Sequence, residues 1–583
     1  MASWRPPGLA VVAPGRRALN DALKLWAYEA EPEEPIFLST NPVKVQAPSP
    51  HARLEAAMAK AVATGGDGQP RTGARPCRRW RQRLLGSWSL NSAGEPIGDA
   101  PLTVVGLVGW PLRRITVGLS PASLPKRGSG FDLAIAAAIL SAAGAIRPAL
   151  LDDLVLLGEL GLDGRVRPVP GVLPAVAAAA AAGFRTVAVP AENAAEAALV
   201  PGLRVLGVPS LGALLAWLRG ERGNPGCNSE GGRVAGAQPR VLVVETGSGR
   251  RPAAPPGPAG TGYQGKDMAD VVGQPAARRA AEICAAGGHH LLLLGPPGVG
   301  KTMLAERLPT VLPGLQPSAA LEVSAIHSVA GTLPAGRPLL TEPPFCAPHH
   351  TATKAAIVGG GSGVIRPGAA SLAHHGCLFL DEAPEFSRDV IDALRQPLES
   401  GEVVIARSAL TTRFPARFTL VLAANPCPCA RPATPRSACT CTPVMRRRYL
   451  GRLSGPLLDR VDVKVEFLPV SRAELLSDRQ LTEPSAVVAR RVALARERAA
   501  ARLADTPWQL NAQVPGSELR RRFPPQPGSL APLERAMDLG EISARGADRV
   551  IRLSWTLADL HGVPRPGSAE VSYALGLWLG VTL

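Results

Sequence analysis

The amino-acid sequence predicts an α/β fold, and three observations predict it. Leu291–Leu294 is an unbroken apolar run, followed by Gly295-Pro296-Pro297-Gly298-Val299-Gly300-Lys301-Thr302 and an apolar-periodic stretch from Met303 to Leu308. Two more apolar runs, 377–380 and 418–424, end in polar residues: Asp381-Glu382 and Asn425. Between residues 110 and 219, short β-type segments alternate with Ala-rich helical ones. Runs that are apolar throughout suit strands covered on both faces, and strand–helix alternation favours parallel sheets.

Composition narrows the class. A chain of 583 residues has room for about three or four domains. Glycine (61) and proline (59) are abundant, so part of the chain is expected to be linker. The net charge of +17 favours polyanionic partners such as nucleic acid. Aromatic content is 4%, so no base-stacking platform is evident. No run is long and apolar enough for a membrane span, and Met1–Asn20 lacks the apolar core of a signal peptide. Nine cysteines, four of them tightly clustered, suggest a cytoplasmic protein with a metal site rather than a disulfide scaffold.

Residues 1–109 carry no chemical constellation. They include a run with six arginines, Arg71 to Arg83, and a strand-like piece, Leu102–Val108; poor order is the expectation. An α/β domain is expected over 110–219. Its strands are Arg114–Leu119, Val155–Leu157, Thr186–Val189 and Arg204–Val208; its helices are Leu133–Ala143, Pro174–Ala182 and Ala194–Leu199. Residues 220–264 are rich in Gly and Pro and read as a linker, with one short apolar piece, Val241–Glu245, that could form a strand.

Residues 265–470 carry the chemistry. The pattern G-x-x-x-x-G-K-T between a buried strand and a helix is a phosphate loop. Its backbone N–H groups and the following helix N-terminus suit phosphate oxygens. Lys301 can reach the β- and γ-phosphates, and the Thr302 hydroxyl can ligate Mg²⁺. The cofactors expected are therefore ATP and Mg²⁺. Asp381 suits Mg²⁺ ligation, directly or through water, and Glu382 suits polarisation of the attacking water. Asn425 can orient that water. Arg460 stands at a turn, Ser454–Asp462. An arginine there that reaches a neighbouring subunit's site would stabilise transition-state charge, which requires a ring. Glu402–Pro415 reads as a hairpin bearing Arg407 and Arg413.

Cys427-Pro-Cys429 and Cys439-Thr-Cys441 bracket a polar, Pro-rich loop. Four thiolates can close a tetrahedral Zn²⁺ site; free or redox-active thiols are the alternative. Arg446-Arg447-Arg448-Tyr449 follows, suited either to phosphate contact or to a solvated face. From about residue 471 to 583 the chain is expected to be helical, with a long helix from Ala486 to Leu503 behind Pro484-Ser485.

The order of phosphate loop, Asp-Glu strand, Asn strand and Leu-Asp-Arg turn resembles the AAA+ ATPases. Ala347-Pro-His349-His350-Thr351, Gly359-Gly-Gly361, Ser371-Leu-Ala-His374-His375-Gly376 and Asn425-Pro-Cys427-Pro-Cys429 narrow the resemblance to the magnesium-chelatase-like YifB/ComM family. It implies a three-layer αβα core with a C-terminal helical lid. In that lid Arg545 is the second nucleotide sensor, with Arg552 as the alternative. It also implies a pore-facing loop within Pro348–Pro367. Leu124-Pro-Lys126 to Asp132 and Leu157-Gly-Glu159-Leu160 are similar to the family's N-terminal domain, related to Lon proteases and to ribosomal S5 domain 2 and only partial here. Lys126 and Ser129 suggest a Lon-type Ser–Lys pair, but Gly130 stands where the nucleophile belongs, so protease activity is not expected. The function implied is that of a ring-forming, hexameric ATPase acting on single-stranded or branched DNA, a branch-migration helicase of recombination and transformation. The second reading is a chelatase-type motor subunit that remodels a protein partner for metal insertion.

Overall fold

A computed structural model describes residues 129–220, 241–245, 263, 265–334, 336–361, 365–407, 410–431 and 439–580. Lys126, the strands expected at 102–108 and 114–119, and the Arg71–Arg83 run lie outside the described residues. The chain divides into two compact units. Among the described residues, one comprises 129–220 and 241–245 with 327–334, 336–339, 407 and 410–411; the other comprises the rest.

In the first unit, β1 (Leu154–Leu156), β4 (Thr186–Pro190) and β5 (Arg204–Val208) run parallel. Their apolar residues, among them Val155, Val187, Ala188, Val205 and Leu206, are buried, as expected for strands covered on both faces. Leu242–Glu245, inside the stretch read as linker, is β6 and pairs antiparallel with β5. A small hairpin joins β2 (Glu159–Leu160) to β3 (Val166–Arg167). The helices are Asp132–Ala142, Val172–Ala181, Ala194–Ala197 and Leu211–Leu218. Ser210 caps the last, its Oγ accepting the Ala213 N–H at 3.2 Å.

The second unit is built on a five-stranded sheet in the order β13-β7-β12-β9-β8, parallel throughout. β7 is Leu291–Leu294, β8 Phe345–Cys346, β9 Cys377–Leu380, β12 Thr419–Ala424 and β13 Val463–Glu466. Alternate residues feed two cores. Leu291, Leu293, Phe379, Val421 and Val465 pack with Ile283, Leu304 and the C-terminal helices. Leu292, Leu378, Leu380, Leu420 and Leu422 pack with Ile357, Ile391, Leu394 and Leu457. Helices thus cover both faces, which is why the strands read as continuous apolar runs. Between β9 and β12 lies the hairpin of β10 (Glu402–Arg407) and β11 (Leu410–Pro415).

Register matters for function. Ala424 of β12 pairs with Leu294 of β7, and Leu422 with Leu380 of β9. The carboxyl ends of these neighbouring strands therefore lie together, and Gly295, Asn425 and Asp381 leave the sheet at one edge. In open α/β sheets that edge is where ligands bind. The C-terminal helices, including Ser485–Arg502, Ala544–His561 and Ser568–Leu579, join the first of the two cores through Val488, Val492, Val550, Leu553, Trp555, Val571 and Trp578.

Candidate nucleotide site

The loop Gly295–Thr302 leaves β7 and enters the helix Lys301–Arg307. Gly300 caps that helix at φ +98°, a backbone conformation costly for any side-chain-bearing residue. At Gly295 a Cβ would lie 2.7 Å from the Phe467 backbone oxygen. The turn can therefore pass close to the adjoining strand end only without a side chain. Pro296, Pro297, Gly298 and Val299 form the exposed or half-buried crest.

Lys301 is 8% exposed. Its Nζ donates to the Gly295 carbonyl at 2.6 Å, the Pro296 carbonyl at 2.8 Å and Asn425 Oδ1 at 3.1 Å. Burial lowers its pKa, while Asp381 and Glu382 oppose that shift and favour the charged form. The ammonium thus ties the loop to the end of β12. Thr302 Oγ1 donates to Asp381 Oδ2 at 2.7 Å. Asp381 Oδ1 accepts the Glu382 N–H at 2.9 Å. Glu382 sits at φ +50°, in the left-handed region, which a glutamate adopts only when the surroundings hold it there. Its carboxylate is half exposed, 3.3 Å from His350 Nδ1. The His350 ring lies against His349, centroids 4.1 Å apart.

Five of the residues singled out from the sequence therefore meet: Lys301, Thr302, Asp381, Glu382 and Asn425. Asn425 spends its carbonyl oxygen on Lys301. The donor set suits a triphosphate with Mg²⁺: an ammonium, a hydroxyl beside a carboxylate, and a second carboxylate free to face water. Arg460 lies elsewhere. It is 16% exposed on its side chain, ion-paired with Glu399 and bonded to the Pro456 carbonyl of its own turn. Burial, then the cations of Arg395, Arg549 and Arg545, lower its pKa. Arg545 is exposed on the first turn of Ala544–His561. Arg552, the alternative sensor, turns inward, its Nε donating to the Val514 carbonyl at 2.6 Å.

Sequence reading missed a buried polar chain at the opposite, amino-terminal edge of the sheet. Asp462, 1% exposed, accepts from Arg549 at 2.5 Å and lies 3.0 Å from His289 Nδ1. Arg549 also donates to the Arg460 carbonyl at 3.1 Å. His289 Nε2 meets Thr556 Oγ1 at 2.8 Å, and Asn511 links Thr556 to Asp559. These partners lie too far apart in sequence for spacing to reveal them. The visible signals were only a histidine preceding the Leu run and a second acid after the Leu-Asp-Arg turn.

Two clusters have metal-ligand chemistry among the described residues. Cys427 Sγ lies 3.1 Å from Cys429 Sγ and 3.3 Å from Cys439 Sγ; Cys429 and Cys439 are 3.5 Å apart. Zinc–sulfur bonds of about 2.3 Å place tetrahedral sulfurs about 3.8 Å apart, so this set fits after opening slightly. Burial pushes the Cys427 thiol up to about 12, whereas the Cys441 N–H, bonded to the Cys439 sulfur, and the Cys427 thiol bring Cys439 down to about 6. One ready thiolate within a four-sulfur cage suits a soft cation. The other cluster, Glu322, His374 and His375, does not. His374 Nδ1 accepts the Arg417 N–H at 3.0 Å, so its Nε2 carries the proton it donates to Glu322 at 3.1 Å. A protonated nitrogen is no ligand.

The family model "Magnesium chelatase, subunit ChlI" matches residues 267–475, "Subunit ChlI of Mg-chelatase" 104–193, and "Magnesium chelatase, subunit ChlI C-terminal" 482–577. An uncharacterized protein of Mycobacterium tuberculosis is 52% identical over 80% of this chain and 86% of its own. Competence protein ComM of Haemophilus influenzae is 37% identical over 80% of this chain and 86% of its own. YifB of Escherichia coli is 38% identical over 77% and 82%. The chain belongs to the YifB/ComM family of magnesium-chelatase-like proteins.

Proposed function

We propose that this protein is an ATP-hydrolysing AAA+ motor that works as a homo-oligomeric ring, a hexamer, and moves along single-stranded or branched DNA to drive branch migration. One observation carries the nucleotide chemistry: Thr302 and Asp381 touch at 2.7 Å beside a buried Lys301 and a half-exposed Glu382, at the carboxyl edge of a parallel sheet. Lys301 turns from the loop carbonyls to the phosphates. Thr302 and Asp381 would hold Mg²⁺, and a bound ion would supply neutralisation of charge developing on the phosphate oxygens. Glu382 takes the proton of the attacking water, and Asn425 orients that water. Arg460, released from Glu399, reaches the neighbouring subunit's site, and Arg545 senses the nucleotide from the lid.

The DNA reading is supported by the likeness to a competence protein, the net charge of +17 and the arginine runs. Arg413 of the hairpin is drawn to Glu402 at 3.6 Å and is a weaker candidate. Structural Zn²⁺ in the four-cysteine cage is part of the proposal; it would tie residues 427–441 into one knot. No described helix is long and apolar enough to cross a membrane.

The second reading, a chelatase-type motor acting on a protein partner, is favoured by the names of the matching family models. The deciding experiment measures ATP hydrolysis with and without forked or three-stranded DNA, alongside the mass of the assembly. Stimulation by DNA with a ring-sized mass supports the motor on DNA. Hydrolysis indifferent to every DNA favours the chelatase-type reading. Lys301→Ala with DNA unwinding unchanged sinks the motor altogether.

A further inference from the structure

The helix Pro443–Leu450 is unusual in its surroundings. Its seven residues from Pro443 to Tyr449 include just one buried side chain, Tyr449. Val444 and Met445 are 64% and 49% exposed. An eight-residue helix is marginal in water without support. Here the support comes from its two ends. Thr442 Oγ1 accepts the Met445 N–H at 3.3 Å, one residue after Cys441 of the sulfur cage. At the other end the Arg452 guanidinium lies 5.9 Å over the Tyr449 ring.

Between these anchors stand Arg446, Arg447 and Arg448, all exposed and without an acidic partner among the described residues. Some other exposed arginines of this unit have acidic partners, as Arg520 has Asp548 and Arg521 has Glu518. Three adjacent unpaired cations repel one another, and a polyanion relieves that repulsion by displacing counterions. Successive helix positions point about 100° apart, so the three cover a broad arc and grip a backbone rather than a base edge. The neighbouring aromatic, Tyr449, is buried and not available for stacking.

We infer that Pro443–Leu450, held rigid by the four-cysteine knot, is a docking surface for the phosphodiester backbone of nucleic acid, read without regard to sequence. This rests on the DNA reading above and locates its contact. The helix is also wired to the catalytic turn. Arg452 Nη1 donates to Glu385 Oε2 at 2.8 Å and to the Pro384 carbonyl at 3.3 Å, in the turn Ala383–Glu385 that follows Glu382. A strand seated on the arginines bears on that turn.

The test is a salt titration of binding by the full-length protein to an oligothymidylate strand and to a mixed-sequence duplex. A variant carrying Arg446→Ala, Arg447→Ala and Arg448→Ala is expected to flatten the slope of log affinity against log salt. The loss is about 2 units for the strand and about 3 for the duplex, from about 0.7 and 0.9 per phosphate contact. Replacing the same three by lysine keeps the slope, because charge and not the guanidinium fork makes the contact. An unchanged slope in the alanine variant overturns the inference while leaving the DNA reading standing. So does a loss of assembled mass in that variant without DNA, which would make the helix a contact between copies of this chain. If the unaltered protein binds neither DNA, the DNA reading fails and this one with it.

Discussion

Thr302 Oγ1 donates to Asp381 Oδ2 at 2.7 Å, although the two residues lie 79 apart in sequence and on different elements. The pair spans the gap that a divalent cation would bridge. Binding must exchange this hydrogen bond for metal–oxygen bonds. Asp381→Asn should therefore cut Mg²⁺-dependent ATP hydrolysis by about 10²-fold or more, the usual loss when one preorganised electrostatic partner is removed. ATP affinity measured in chelator should change little. Equal losses in both would place Asp381 in folding and not in cation binding.

Glu382→Gln separates chemistry from binding. The amide keeps the shape and the half-exposed position but gives up proton acceptance. Hydrolysis should fall about 10²- to 10⁴-fold, the span of general-base contributions. Nucleotide should remain bound, and the protein should accumulate in the ATP state. Near-normal turnover would remove Glu382 from the mechanism.

The buried ionic chain offers a stability prediction. Arg549→Ala leaves Asp462 with His289 as its remaining strong partner. Removing one member of a buried pair costs about 3–5 kcal/mol, seen as a shifted denaturant midpoint with unchanged m. A shift below about 1 kcal/mol would mean water replaces the guanidinium, as it does for exposed pairs.

Acid should loosen the second unit through His374. Burial is the main cause holding its pKa down at about 4 against an ordinary 6.5, with Glu322 opposing. The folded ring thus binds fewer protons than the unfolded one between those values, so stability falls as pH drops from about 6.5 towards 4. The loss is on the order of 3 kcal/mol for this ring. Chemical denaturation across that interval checks it: His374→Gln should flatten the pH slope even if it lowers stability at neutral pH.

The sulfur cage predicts about one zinc per chain, released when thiols are modified. Cys439→Ser should abolish the stoichiometry and lower the melting temperature. Protein that is metal-free as purified yet equally stable would favour free thiols.

Local chemistry was legible in the sequence where the residues concerned were neighbours along the chain. The Leu291–Leu294 strand, the phosphate loop and the Asp381-Glu382 strand end were readable because burial on both faces writes an unbroken apolar run. β13 and β8 were not, since Val463–Glu466 alternates with charges and Phe345–Cys346 is two residues long. Strand β6 was legible as a short apolar piece that could form a strand, though its Gly/Pro-rich surroundings read as linker. The left-handed backbone at Glu382, its neighbour His350 and the Arg549–Asp462–His289 chain depend on tertiary contacts, which leave no periodic mark. Arg460 was readable as a turn residue, but its attachment to Glu399 was not.

Trp555, Val571 and Trp578 from the C-terminal end share a single apolar cluster with Leu291, Phe379 and Val421 from the sheet. A gene shortened near residue 470 would leave the sheet with a bare, greasy flank and strand the Asp462 carboxylate without its guanidinium. Such a stump should clump on expression rather than survive as a working miniature, so dissection of this protein has to proceed by point changes.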